Sequence, residues 1–160
     1  MSFQQYPWDM EERVEDAIVA LLKANAGRTA MIIAARTVVA AKYPLVVVEA
    51  IDSNNHSEDA TFNGHRDISV KVAIATEAVN YSADLGQAEL IETAREQHRA
   101  VKNAVIGVLA STVLHEELNE LQPQGVVFSM ASMSDQSRDV GDGKLTTEQN
   151  IDVIAIPKEI

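Results

Sequence analysis

The sequence predicts an α+β fold: a small four-stranded, mainly antiparallel sheet with helices packed on one face, in the order helix, two strands, helix, two strands. Three observations carry this expectation. Two long stretches, Met10–Ala26 and Gln87–Ala110, repeat apolar residues at helical spacing. "DISVKVAIAT", Asp67–Thr76, alternates strictly, with Ile68, Val70, Val72 and Ile74 on one side. No βαβ fingerprint is present, so both adjacent strand pairs fit antiparallel hairpins. Residues 1–160 read as a single domain, with no repeat, low-complexity tract or boundary.

The first helix has Val14, Ala17, Ile18, Leu21 and Leu22 on one stripe. Asp9 followed by Glu12 has the form of a capping box, and Gly27 is a natural stop. "RTAMIIAARTVVAAKYP" follows and fits either a helix or extended segments, so residues 28–42 stay open. Pro44 ends whatever precedes it. Leu45–Asp52 reads as a buried strand, and Ser53–His65, rich in turn formers, as a mobile loop. In the next strand one face is core; the other, with Ser69, Lys71, Ala73 and Ala75, suits a half-exposed sheet or one covered by a neighbouring subunit.

The second long helix buries Leu90, Ala94, Val101, Val105, Val108 and Leu109. A shorter helix near Val113–Leu121 follows, then the breakers Pro123 and Gly125. Val126–Met133 is the third strand, and Asn150–Pro157, or a strand from Thr146, the fourth. The polar Ser134–Gly143 connection between them predicts a long hairpin with a moving tip, where Gly141 and Gly143 around Asp142 suit a tight turn.

Aromatics are only 4% of residues against 46% hydrophobic overall, so the core rests on aliphatic side chains. There is no cysteine, which excludes disulfides and thiolate metal sites. No apolar run reaches the ~18 residues of a membrane span, and the opening "MSFQQYPWDMEERVED" lacks a signal peptide's form, so a soluble protein made in the cytoplasm is expected. The net charge of −11 argues against sequence-independent binding to phosphate backbones. An acidic surface aids solubility and would also let DNA slide past without being gripped.

Several motifs approach a chemistry and miss it. "RDVGDGKLTTEQ" resembles a calcium loop around Gly143, but Arg138, Val140 and Gln149 occupy three ligand positions. A phosphate-binding loop there would need glycine at 138 and a hydroxyl at 145, where the chain has Arg138 and Leu145. "HEELNE" has Asn119 where a zinc protease needs its second histidine. His56 and His65 flank Glu58 and Asp59 in a solvated loop, and His98 reads as exposed and paired among Arg95, Glu96 and Arg99. Ser129, Ser132, Ser134 and Ser137 lie in no nucleophile elbow. The expectation is therefore no catalytic, metal or cofactor site, and a protein that works by contact.

The amphipathic opening "VEDAIVALLKANAG" leads into "ARTVVAAKYPLVVVEAID", where an arginine precedes a Pro-led strand that ends acidic. A polar loop, the alternating "HRDISVKVAIAT", a long helix and a final hairpin complete the order. Over most of its length this resembles the tail terminator (tail completion) proteins of long-tailed bacteriophages, and departs from them in its long first loop and long final hairpin. The resemblance implies a structural virion protein of the tail or neck, without enzyme activity. Its subunits would form a ring, usually of six, that caps the tail tube, ends tail growth and joins tail to head. The implied partners are further copies of the chain, the tail tube protein and neck or connector proteins, with DNA passing through unbound and no membrane. The contact residues expected are Asn54, Asn55, His56, Glu58, Asp59, Lys71, Arg138, Asp142 and Lys144. Other classes compatible with the residues are another neck or head–tail connector protein, a small enzyme whose site assembles from scattered carboxylates and histidines, and a regulatory binding module.

Overall fold

A computed structural model describes residues 9–55, 65–77, 87–141 and 143–157, the side chains of 55, 87–92 and 141 apart. In chain order the elements are α1 (Met10–Ala26), β1 (Met31–Ala34), β2 (Leu45–Asn55), β3 (Arg66–Glu77), α2 (Gln87–Leu109), α3 (Leu114–Glu120), β4 (Val126–Gly141) and β5 (Lys144–Pro157). The strands form one five-stranded sheet in the order β1-β2-β3-β5-β4.

The expected four-stranded, mainly antiparallel sheet is corrected by this topology. The ambiguous stretch supplies a fifth strand, β1, and it runs parallel to β2 with Met31 opposite Leu45 and Ala34 opposite Val48. The sheet is mixed. Parallel neighbours usually need a crossover of about a dozen residues or more. Here residues 35–44 make the return without a helix. Backbone bonds from Met31 N to Pro44 O (3.0 Å) and from Ala35 N to Val48 O (2.9 Å) close the two ends of the pairing.

The polar segments are also corrected. β2 continues through Ser53 and Asn54 to Asn55, pairing with Ile68, Asp67 and Arg66. The rest of the expected loop up to residue 64 lies outside the described residues. Ser134–Gly141, expected as a mobile connection, is strand: Gln136 to Gly141 pair with Gln149 to Lys144. The fourth expected strand therefore begins at Lys144. The tight turn survives, since Gly141 faces Lys144 and Gly143 has φ +70°.

The core is one layer between the helices and one sheet face. Ile68, Val70, Val72 and Ile74 of β3 are at most 1% exposed, and their partners Val153, Ile151, Gln149 and Thr147 share that face. α1 packs over β1 and β2, α2 over β3 and β5, and α3 over β4. Val14, Ile18 and Leu22 of α1 join Val105 and Leu109 of α2 and Leu114 and Leu118 of α3 in the same cluster. Burying each such side chain contributes about 1.5–3 kcal/mol. Leu90 lies outside the described side chains.

Helix ends differ from expectation in one respect. Asp9 makes no side-chain cap bond to the start of α1. Its carboxylate instead takes the Arg13 Nε–H at 2.8 Å, one turn on. Arg13 also donates to Gln124 O at 3.2 Å. That guanidinium lies where a Cβ on Gly125 would stand, 1.7 Å from Nη1, and Gly125 has φ +74°. The positive φ favours glycine there, and a Cβ would also oblige the Arg13 side chain to shift.

Candidate functional site

No described helix covers the second face of the sheet. Cross-strand partners share a face, so Asp67, Ser69, Lys71, Ala73 and Ala75 of β3 lie level with Ile154, Asp152, Asn150, Glu148 and Thr146 of β5. Glu49 is opposite Lys71, Asp52 opposite Ser69, and Asp139 opposite Thr146. The face is thus acidic around one central cation. Lys71 Nζ is 3.9 Å from Glu49 and 4.0 Å from Glu148, with its side chain 30% exposed. Ser69 donates to Asp152 at 3.1 Å. At one end of this face Val127 and Met130 stay 38% and 37% exposed, beside Ile154 and Ile156.

The expected contact residues do not converge. Asn54 sits on β2 opposite Asp67 and donates its amide to Asp52 at 3.1 Å. Asn55 ends the same strand. Arg138 lies on β4 opposite Thr147, and Lys144 opens β5, its ammonium 4.9 Å from the Tyr43 ring centroid. β3 links the two groups, with Arg66 opposite Asn55 and Glu77 opposite Lys144. At ~3.3 Å per residue the two ends are roughly 35 Å apart. Lys71 stands midway, on the uncovered face. His56, Glu58, Asp59 and Asp142 lie outside the described residues.

Four polar side chains that tie the fold together were missed or misread by sequence reasoning. Glu15, 7% exposed, accepts the Ala50 N–H at 2.7 Å and an Arg36 Nη1 bond at 2.5 Å, while Arg36 also holds Asp16. Ala50 borders a β-bulge in β2, so the carboxylate satisfies a donor where the ladder is broken. Burial opposes the charge on Arg36, but the bonds to Asp16 and Glu15 outweigh it and raise its pKa.

Gln149 is 2% exposed and fills the second bulge of β4. Its Oε1 accepts from Gln136 at 3.0 Å, and its Nε2 reaches the carbonyls of Ser134, Asp135 and Asn150 at 3.2, 3.4 and 2.9 Å. The residue in the carboxylate position of the abortive calcium loop is a structural plug.

His98 is not an exposed helix residue. Its ring reaches Thr76 of β3 and Thr147 of β5, both at most 1% exposed. Burial, then Lys102 and Arg138, pull its pKa below the ordinary imidazole value. The helical period carried the signal, because Ala94, His98, Val101 and Val105 fall on one stripe. Asn119, which ends the zinc-protease reading, binds the backbone of Phe128 twice: Nδ2 to O and N to Oδ1, each 2.8 Å. Among the described residues no group of three or more His, Asp or Glu is placed to hold a metal ion.

No protein-family model matches the chain, and no curated protein matches it. Among solved structures, a chain from the virion of a native gene transfer agent (GTA) particle has the same fold. The TM-score is 0.54, over 94% of this chain and 99% of that chain, at 9% sequence identity. The likeness is one of architecture.

Proposed function

We propose that this chain is a structural virion protein, a tail terminator, that ends and caps a tail tube as a ring of copies and joins the tail to the neck.

 This reading rests on the likeness to a chain of a GTA virion, which runs nearly end to end in both chains. A likeness of that extent concerns the whole unit and not a shared fragment. The net charge of −11 supports it further, because like charge keeps a channel wall from gripping DNA. On this reading the protein acts through contacts with copies of itself, with the tube protein below and with connector proteins above, and it performs no catalysis.

The test is genetic and visual. Particles are produced with the gene deleted and examined by electron microscopy. The expected result is tubes of uncontrolled length without attached heads, corrected when the gene is supplied in trans. Tails of normal length joined to heads in the deletion strain would overturn the reading.

A further inference from the structure

Residues 17–48 contain four cations, Lys23, Arg28, Arg36 and Lys42, and no carboxylate, in a chain whose net charge is −11. This stretch folds into most of α1, then β1 and the crossover to β2. Arg36 is held by Glu15 and Asp16. Lys23, Arg28 and Lys42 are exposed, and none has an ion pair among the described residues. Beside them lies a groove of about 880 Å³, lined by Lys23, Arg28, Met31, Ile33, Thr37 and Val39. Val39 of this lining is 50% exposed, and its chain neighbour Val38 98%. On the outer edge of β1 the Ala34 carbonyl is already taken by the Thr37 N–H at 3.0 Å. What this corner presents is positive charge with apolar side chains between.

The uncovered sheet face presents the opposite. Glu49, Asp52, Glu148 and Asp152 surround Lys71, Ala73 and Ala75 give a low, apolar floor, and Asp139, Glu77 and Lys144 stand at the end of the face toward the β4–β5 turn. The four strands β2 to β5 at ~4.8 Å and seven residues at ~3.3 Å make roughly 440 Å² of sheet, with β1 left to the basic corner.

We propose that the acidic sheet face of one copy receives the basic α1–β1 corner of a second copy. The two patches are different surfaces of one chain, so the contact is heterologous and repeats head to tail. A chain of such contacts closes into a ring when the rotation between copies allows it. The inference deepens the assembly role proposed above and rests on it, but it is tested on purified protein alone.

The test uses sedimentation velocity on the full chain and two charge-reversed variants, Lys23→Glu/Arg28→Glu and Glu49→Lys/Asp139→Lys. The wild type should self-associate, less so in ~1 M salt, where screening acts within ~3 Å. Each variant should keep the wild-type circular dichroism and raise the dissociation constant at least about tenfold. Mixed in equal amounts, the two variants should assemble again, because each then offers the charge the other needs. Should either variant fail to fold, Lys42→Glu replaces the first and Asp52→Lys the second. A monomeric wild type, a folded variant that associates as the wild type does, or a mixture that stays monomeric would each overturn the contact. None of those results touches tail length in the deletion strain, so the two readings fail separately.

Discussion

His98 and Thr147 are joined by a 2.7 Å hydrogen bond across the boundary between α2 and β5. The other ring nitrogen of His98 lies 3.0 Å from Thr76 on β3. One imidazole thus ties a helix to two neighbouring strands. A neutral ring can donate from one nitrogen and accept at the other, and a hydroxyl can meet either.

Acidification should loosen this tie. The pKa of His98 is lowered in the folded state by burial, Lys102 and Arg138, so the unfolded chain takes up the proton more readily. The stability contributed by the neutral ring is fully present above the unfolded value of 6.5 and is lost as pH falls through the folded value. One proton limits the slope to about 1.4 kcal/mol per pH unit. Urea unfolding of wild type and His98→Gln over a range of pH checks this. The wild type should lose stability below 6.5 more steeply than the variant. Parallel profiles would show that His98 does not carry the effect.

Adjacent residues on β3 should respond oppositely to the same change. Val72 is 0% exposed in the core layer, and Lys71 lies on the uncovered face. Val72→Asp forces a carboxylate into an apolar layer and should unfold the subunit. Lys71→Asp removes two half-exposed ion pairs worth about 0.2–1 kcal/mol each and should leave the fold intact. Circular dichroism and thermal melts compare them. Equal losses in the two variants would refute the register of β3.

Asn119→Ala should cost about 1–3 kcal/mol, since both backbone groups of Phe128 lose their side-chain partner. Asn119→Asp keeps the acceptor for the Phe128 N–H but sets a carboxylate oxygen against the Phe128 carbonyl, so it should not restore the loss. Hydrogen exchange at the Phe128 amide should rise in the alanine variant ahead of global unfolding. Unchanged exchange would mean that water replaces the side chain at no loss.

Gly125→Ala should destabilise by about 1–3 kcal/mol through its positive φ alone, with a further loss from the collision with Arg13. Adding Arg13→Ala should recover the second part and not the first. A double-mutant cycle from denaturant unfolding separates them. Strict additivity would show that the guanidinium simply moves aside.

Much of this architecture could be read from the chain. The alternation from Ile68 to Ile74 gave the face of β3 correctly, and the stripes of α1 and α2 gave the core side of both helices. β1 was hidden because four residues, Met31–Ala34, are too few to show a period, and their partner lies across a return of ten residues. The outer half of β4 was hidden for a different reason. Ser134 to Asp139 are exposed and polar, so no hydrophobic pattern marks them, and pairing with β5 alone imposes the strand. The polar interior could be found only in part. His98 sits on a visible stripe, whereas the bulge that Gln149 fills exists only once β4 and β5 have met.

β5 lies between β3 and β4 in the sheet although it follows both in sequence. A ribosome therefore releases β3 and β4 with their facing edges bare, and they stay bare until Lys144–Pro157 emerges. The sheet cannot close during most of synthesis. A nascent or truncated chain that lacks this strand carries two open edges and is without Ile151, Val153 and Ala155 of the core, a form prone to pair with the wrong neighbour.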